Sequence, residues 1–211
     1  MKKLRVLLAD DHNLVLEGIK RTIESEFDLV GTAANGLELI NTAHRLKPDV
    51  IVLDIFMPLL NGMEAARQLR KTLSDAKLIF LTMHEDVTCV AEALRLGVSG
   101  YVLKSSTGTE LIRAIREVSR GSVYVQQSIG KPCSSQEHQL AKSLVARYLT
   151  TRQREVLQLI AEGHSTKQIS SLLRISMKTV EFHKYSIMKL LEIHTIAELT
   201  KYAVRHGLTE A

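Results

Sequence analysis

The chain has 211 residues, of which 45% are hydrophobic and 24% are charged, and this balance is typical of a globular protein. No apolar run approaches the ~20 residues that cross a bilayer. Two cysteines are too few for a disulfide framework, so the sequence predicts a cytoplasmic protein without a membrane partner. Residues 1–122 hold 16 Lys and Arg against 16 Asp and Glu, so the net charge of +5 belongs to the remainder, where it favours an acidic partner such as nucleic acid.

Five apolar runs alternate with segments of helical period over residues 1–122, which predict the first domain. The runs predict strands at residues 5–10, 28–33, 50–54, 78–82 and 100–104. The intervening segments predict helices at residues 13–25, 36–46, 62–73, 87–96 and 109–120. Strict alternation of strand and helix predicts an α/β doubly wound fold with a five-stranded parallel sheet.

Polar side chains stand at the carboxyl ends of four predicted strands: Asp10 and Asp11, Asp54, Thr82, and Lys104. Ligands of an open parallel sheet bind outside these ends, so we expect one shared pocket. Three crowded carboxylates repel one another by roughly 4 kcal/mol per pair, which a bound Mg²⁺ relieves. Asp54 can then serve as a nucleophile that forms an acyl phosphate, with Thr82 and Lys104 contacting the phosphoryl oxygens.

The alternating pattern ends after Gly121. Residues 123–148 are polar and rich in turn-forming residues, with a weak helical pattern near their end, and predict a partly helical linker. Residues 149–211 predict a second, small all-α domain of four helices at residues 150–162, 165–174, 176–191 and 195–206. Each helix has Ser or Thr at its capping position, as a helix start requires.

The second and third of these helices are separated by a short turn, which is the helix-turn-helix arrangement. On the third helix, the helical period predicts a core stripe of Val180, Ile187, Leu190 and Leu191. The opposite face carries Lys178, Glu181, Phe182, Tyr185 and Lys189. Exposed aromatic residues beside lysines favour a DNA major groove, where apolar groups touch thymine methyls and carboxylates accept from cytosine. Lysines 178, 184 and 189 are expected near phosphates.

The first domain carries the motifs Ala9-Asp10-Asp11-His12, Leu53-Asp54-Ile55-Phe56-Met57-Pro58, Asn61-Gly62, Leu81-Thr82 and Gly100-Tyr101-Val102-Leu103-Lys104. In these motifs it resembles the flavodoxin-like receiver domain of two-component response regulators. The resemblance implies that a sensor histidine kinase phosphorylates Asp54, and that Asp10, Asp11, Asp54 and the backbone carbonyl of Phe56 hold Mg²⁺. It also implies that Thr82 and Tyr101 move on phosphorylation. Ser105 stands where that family often has a proline that follows a cis peptide bond. The sequence therefore leaves open whether the Lys104–Ser105 bond is cis or trans.

The second domain carries Arg154-Glu155-Val156-Leu157, Ile160-Ala161-Glu162-Gly163 and Lys178-Thr179-Val180-Glu181. It resembles the LuxR-type helix-turn-helix domain, and both resemblances together point to the NarL/FixJ subfamily of response regulators. The match implies that Thr166, Lys167, Lys178, Thr179 and His183 contact the DNA backbone. It implies that Glu181, Phe182 and Tyr185 face the bases, whereas Lys184 and Lys189 are expected near phosphates from their place on the third helix. The fourth helix either pairs two subunits or simply packs in the core.

The expected function is that of a phosphorylation-dependent, DNA-binding transcription regulator, not an enzyme. Its expected partners are a sensor histidine kinase, promoter DNA, a second copy of the chain once phosphorylated, and RNA polymerase. Two alternatives stay open. One is a phosphate-independent adaptor with a degenerate receiver. The other is a Mg²⁺-dependent aspartyl phosphatase, which would favour Asp-x-Asp after the first strand and leaves residues 149–211 without a role.

Overall fold

The computed structural model describes residues 3–83, 87–106, 108–126 and 149–209, with only the backbone described at residues 87 and 88. The chain divides into two compact units, Met1–Cys133 and Ser134–Ala211. The predicted linker at 123–148 lies outside the described residues from residue 127 onward. Within the described parts of the chain, no helix is both long enough and apolar enough to cross a membrane.

The first unit is built on a parallel sheet of six strands in the order β2-β1-β3-β4-β5-β6. In chain order the strands are β1 (Arg5–Ala9), β2 (Asp28–Ala33), β3 (Val50–Leu53), β4 (Lys77–Thr82), β5 (Gly100–Leu103) and β6 (Tyr124–Val125). The order reverses at β1, which has β2 on one side and β3 on the other. The predicted doubly wound parallel fold is therefore confirmed, and its ligand-binding edge lies where β1 and β3 end.

The sixth strand corrects the prediction of five. Tyr124 and Val125, which were placed in the linker, pair with Gly100 and Tyr101 of β5. The buried Tyr124 donates its phenol hydrogen to the Glu110 carboxylate. A strand of two residues is too short to show any period, so it leaves no pattern in the sequence.

Helices cover both faces of the sheet. They are α1 (Asn13–Ile23), α2 (Gly36–Leu46), α3 (Gly62–Thr72), α4 (Val87–Arg95) and α5 (Gly108–Ser119). Because successive strand residues point to opposite faces, the strands supply two apolar layers. Leu7 and Ile51 pack in one layer with α2 and α3, whereas Val6 and Val52 pack in the other with α1 and α5.

The second unit contains four helices in its described residues: α6 (Thr151–Ala161), α7 (Thr166–Leu173), α8 (Met177–Leu191) and α9 (Ile196–Arg205). The predicted caps are present. The side chains of Thr150, Ser165 and Thr195 form capping boxes, and Ser176 accepts a hydrogen bond from the Thr179 backbone. Each cap satisfies backbone donors that the first helical turn leaves unpaired, and so sets where the helix begins.

The apolar core of the second unit includes only part of the stripe that was predicted on α8. Val180 and Ile187 are buried there with Leu199 and Ala203 of α9. Leu190, which the helical period placed in the same stripe, is 45% exposed, and Ile196 at the start of α9 is 51% exposed. Leu191 is half-buried, so the fully buried part of the predicted stripe ends before the last turn of α8.

Candidate functional site

Four strand ends bring polar side chains to one edge of the sheet. Asp10 follows β1, Asp54 follows β3, Thr82 ends β4 and Lys104 follows β5. The backbone hydrogen bonds from Asp54 N to Ala9 O (2.9 Å) and from Lys104 N to Thr82 O (2.8 Å) hold these ends in register. Asp10, Asp54 and Thr82 are buried. The structure thus assembles the predicted pocket, and every described peptide bond is trans, including Lys104–Ser105.

Lys104 lies between the two buried carboxylates. Its Nζ is 2.7 Å from Asp10 Oδ2 and 2.6 Å from Asp54 Oδ2. The other oxygen of Asp54, Oδ1, accepts a hydrogen bond of 2.7 Å from the Ile55 backbone N–H. Asp54 is therefore fixed through both of its carboxylate oxygens, and such positioning suits the predicted role of a nucleophile.

Burial sets the protonation behaviour of this pair. It raises the pKa of Asp54, against the hydrogen bond from Lys104, which lowers it. For Lys104, burial lowers the pKa, but the hydrogen bonds to Asp10 and Asp54 outweigh that effect and leave the pKa raised. Two buried carboxylates share one ammonium group, so the pocket is short of positive charge. A bound cation would supply it.

The same edge offers ligand atoms for that cation. Single atoms of Asp10, Asp11, His12 and Asp54 all lie within 4.8 Å of one another. His12 Nδ1 is 2.9 Å from Asp11 Oδ1 and 3.1 Å from Asp10 Oδ1. Carboxylate oxygens are the hard ligands that Mg²⁺ prefers, so the three aspartates fit this ion. His12 was not predicted as part of the site, although its place directly after Asp10-Asp11 could have indicated it.

The loop after Asp54 is pressed against the strand that carries it. The Gly62 N–H donates to Ile55 O over 2.7 Å, and a Cβ on Gly62 would lie 1.9 Å from the Asp54 carbonyl oxygen. Phe56, in this loop, is half-buried against the core. Its predicted role as a carbonyl ligand stays a prediction.

Tyr101 is buried rather than surface-exposed. It is 1% exposed and meets the Phe80 ring edge-on, with ring centroids 6.3 Å apart and planes at 73°. It lies on β5, next to β4, which ends in the buried Thr82. The predicted movement of Thr82 and Tyr101 stays a prediction, and the structure shows the position from which Tyr101 would move.

A second set of predicted residues lies on α8. Its recognition face, defined by Lys178, Glu181, Phe182, Tyr185 and Lys189, is exposed throughout. Phe182 is 66% and Tyr185 is 68% exposed, unusual values for aromatic side chains on a solvated helix. The structure therefore places all five side chains where a DNA groove could reach them.

The other predicted DNA-contacting residues differ in how far they reach the surface. Lys167 is exposed near the start of α7, whereas the remaining ones are half-buried: Thr166, Thr179, His183 and Lys184. The Thr179 backbone N–H donates to the Ser176 hydroxyl at the start of α8. These positions frame the recognition face, and their contacts with DNA stay predictions.

One contact links the two helices of the motif. The Thr166 hydroxyl donates to Glu181 Oε1 over 2.6 Å, and Lys184 Nζ lies 3.7 Å from Glu181 Oε2. No local sequence pattern links Thr166 to Glu181, because they are fifteen positions apart and lie on different helices. The bond ties the start of α7 to the middle of the recognition face.

Each of the two predicted domains matches a known protein family. Residues 6–116 match the family model of the response regulator receiver domain. Residues 147–203 match the model of the bacterial regulatory proteins of the luxR family. The two matches fall within the two compact units.

Relatives extend the similarity over the whole chain. The response regulator protein VraR of Staphylococcus aureus is 35% identical over 210 residues, which cover 98% of this chain and 99% of VraR. A structure of the RcsB response regulator of Salmonella typhimurium has a TM-score of 0.64 at 27% identity, covering 98% of this chain and 99% of RcsB. The structure of an RcsB–DNA complex has a TM-score of 0.58 at 28% identity, covering 95% of this chain and 98% of that one.

Proposed function

The chain belongs to the response regulators in which a receiver domain precedes a LuxR-type DNA-binding domain, and from this premise we propose that phosphorylation of Asp54 controls its binding to promoter DNA. It is a DNA-binding regulator rather than an enzyme, so the phosphatase alternative is excluded. We assign residues 1–122 to the receiver and residues 149–211 to the DNA-binding domain. The observation that carries the proposal is the buried Asp54 carboxylate, paired with Lys104 and held next to Asp10.

The phosphoryl donor is the phosphohistidine of a sensor kinase. An ionised oxygen of Asp54 bonds to phosphorus as the bond between phosphorus and the histidine nitrogen breaks, and the bonding electrons leave with that nitrogen. The Lys104 ammonium group, 2.6 Å away, favours the ionised form of Asp54 and so opposes the effect of burial on its pKa. After transfer, that ammonium group is placed to pair with the phosphoryl oxygens.

Asp10, Asp11, Asp54 and the carbonyl oxygen of Phe56 would hold Mg²⁺. When bound, this ion supplies positive charge that offsets the charge of the carboxylates and the phosphoryl group. The charge deficit of the pocket supports this assignment. His12, through its contacts with Asp10 and Asp11, orients two of the three carboxylates.

The signal then passes along β4 and β5. The Thr82 hydroxyl and the Lys104 ammonium group turn toward the new phosphoryl oxygens, and Tyr101 follows by leaving or tightening its contact with Phe80. A switch of this kind shifts an equilibrium between two arrangements of the protein, and needs about 3–5 kcal/mol of preference for one of them. The phosphorylated form pairs with a second copy, so that two recognition faces engage two half-sites.

The recognition face supplies the DNA contacts of each copy. Lys178, Lys184 and Lys189, with Thr166, Lys167, Thr179 and His183, lie near the phosphates, and Glu181, Phe182 and Tyr185 face the bases. The relative RcsB has been seen in complex with DNA, which supports the same use of this domain here. The proposal also places the protein in the cytoplasm and gives it RNA polymerase as a further partner at the promoter.

The first test is the intact mass of the protein after incubation with acetyl phosphate and Mg²⁺. The expected result is one added phosphoryl group on the wild type and none on Asp54→Ala, with equal circular dichroism spectra as the folding control. DNA binding of both proteins is then measured with and without the phosphodonor. Equal stimulation of Asp54→Ala and the wild type by the phosphodonor would overturn the proposal, and DNA binding that the phosphodonor changes in neither protein would revive the phosphate-independent adaptor.

A further inference from the structure

Glu181 is the acidic member of an otherwise basic and aromatic recognition face. DNA phosphates repel a carboxylate, so a glutamate here weakens non-specific binding unless it gains a hydrogen bond from a base. Glu181 is also held in place rather than free to turn away. A fixed acidic group on a DNA-facing helix is characteristic of base reading rather than of phosphate binding.

Two neighbours determine where the Glu181 carboxylate points. The capping box of Ser165 and Gln168 sets the start of α7, and so places Thr166 on its first turn. The Thr166 hydroxyl donates to Glu181 Oε1 over 2.6 Å, and Lys184 Nζ stands 3.7 Å from Oε2. Holding the side chain before DNA arrives lowers the entropy that binding would otherwise cost.

The carboxylate still has acceptor capacity for a ligand. Two oxygens offer about four lone-pair sites, and the contacts with Thr166 and Lys184 leave some of them open. The Glu181 side chain is 53% exposed, so these sites reach solvent. A donor on the edge of a base can therefore approach without displacing Thr166.

Base chemistry then selects among the possible donors. A carboxylate only accepts, and the major groove offers amino donors on cytosine N4 and adenine N6. Adenine also presents the N7 acceptor beside its amino group, which would repel the second carboxylate oxygen, whereas cytosine has no acceptor there. We propose that Glu181 selects a cytosine at one position of each DNA half-site, with Thr166 as its positioning residue. This inference depends on the proposed function, because it requires the second domain to bind DNA.

The test compares base preferences of the full-length, phosphodonor-treated chain and of Glu181→Gln. Each protein selects sites from a pool of random duplexes, and the bound DNA is sequenced. The wild type should prefer cytosine at one position by about tenfold, the selectivity of a good base contact. Glutamine pairs with adenine through N6 and N7, so Glu181→Gln should change that position from cytosine to adenine and leave the others unchanged.

Two variants of Thr166 distinguish a loss of base selectivity from a loss of folding. Thr166→Val keeps the side-chain shape but removes the donor, so cytosine selectivity should be lost, in addition to a sequence-independent loss of affinity no larger than that of one backbone contact. Thr166→Ser retains the hydroxyl and should restore the selectivity. Lys178→Ala, the matched control on the same face, should weaken binding to all sequences equally.

The outcomes distinguish this inference from the proposed function. A wild type that selects no sequence would overturn the proposed DNA-binding function itself. A wild type that selects a site, with the same base preferences in Glu181→Gln and Thr166→Val, would overturn the inference alone. In that case the Thr166–Glu181 bond would only brace the two helices.

Discussion

At the scale of single residues, the pocket contains buried carboxylates that lower the stability of the protein but that the proposed function requires. Asp10 and Asp54 are both buried, and both depend on the same Lys104 ammonium group. Burying a charge without full compensation costs free energy, and here the cost falls on Asp54, whose pKa is raised by burial. A divalent cation bound here would relieve the same shortage of positive charge and would also offset the negative charge of the proposed phosphoryl group.

Asp54→Asn should therefore stabilise the protein at neutral pH in the absence of Mg²⁺, by about 1 kcal/mol, because Asp10 remains to pair with Lys104. A raised pKa means that the folded state binds the proton more tightly than the unfolded state. The stabilising contribution of Asp54 is then full below its ordinary pKa of 3.8 and is lost as the pH rises through the folded value. Urea unfolding of both proteins from acidic to neutral pH measures the difference, which should grow with pH.

Lys104 variants provide the control for this expectation. Lys104→Met leaves two buried carboxylates without their partner and should cost about 3 kcal/mol at neutral pH, whereas Lys104→Arg keeps the charge and should cost less. If Asp54→Asn proves less stable than the wild type at neutral pH, the ion pair with Lys104 outweighs the burial of Asp54, and the charge deficit is disproved.

At the scale of the elements, the start of α3 depends on how closely it approaches β3. Gly62→Ala should destabilise the protein by about 3 kcal/mol, because its Cβ would lie 1.9 Å from the Asp54 carbonyl oxygen and must push the helix away. Gly18→Ala is the matched control, since nothing lies within 4 Å of its Cβ in the middle of α1. That change should stabilise by about 0.5–1 kcal/mol. Thermal unfolding of both variants measures the two changes in stability. Equal changes would contradict the close approach of Gly62 to the Asp54 carbonyl oxygen.

The lysines of α8 should contribute to DNA affinity without contributing to sequence choice. Lys178→Ala and Lys189→Ala should each reduce the slope of log affinity against log salt by about 0.9, the value for one lost phosphate contact. Lys71→Ala, an exposed lysine of the first unit, should leave the slope unchanged. Fluorescence anisotropy across a salt series measures all three, and an unchanged slope for Lys178→Ala would place that residue away from the phosphates.

Sequence patterns predicted those elements whose ends are marked by local chemistry. Four of the five apolar runs stop at a polar side chain such as Asp10 or Asp54, and the four helices in the described part of the second unit each start at Ser or Thr. The sequence also predicts that these polar side chains converge in one pocket, because parallel strands end on the same edge of the sheet. The strand at Tyr124–Val125 depends instead on pairing with β5, which no local pattern records.

Other features were beyond prediction because they depend on three-dimensional contacts. Leu190 continues the helical period of the core stripe, yet it is exposed, because a helical period shows which face is apolar but not how far along the helix other elements pack against it. The positions of His12 beside Asp11 and of Thr166 beside Glu181 depend on side-chain rotamers. Composition and spacing carry no information on the contact between Thr166 and Glu181, whereas the place of His12 directly after Asp11 is a local signal.

At the scale of the whole molecule, each unit has its own apolar core, and the two sites lie in different units. Chemistry at Asp54 can therefore reach the recognition face only by changing how domains or copies associate. One α8 covers a single half-site, and the tight binding expected of a regulator needs two. The phosphorylated protein should thus bind paired half-sites as a dimer.

Half-site spacing tests this expectation directly. Phosphorylated protein should bind duplexes whose half-site centres are about 10 bp apart far more tightly than duplexes with about 5 bp inserted, since half a helical turn places the second site on the opposite face. Asp54→Ala should bind both duplexes equally and weakly. Anisotropy titrations measure the affinities, and sedimentation shows whether two copies are bound. Equal affinity of the phosphorylated protein for both spacings would mean that it binds as independent single copies, and the signal from Asp54 would then have to act by uncovering the recognition face.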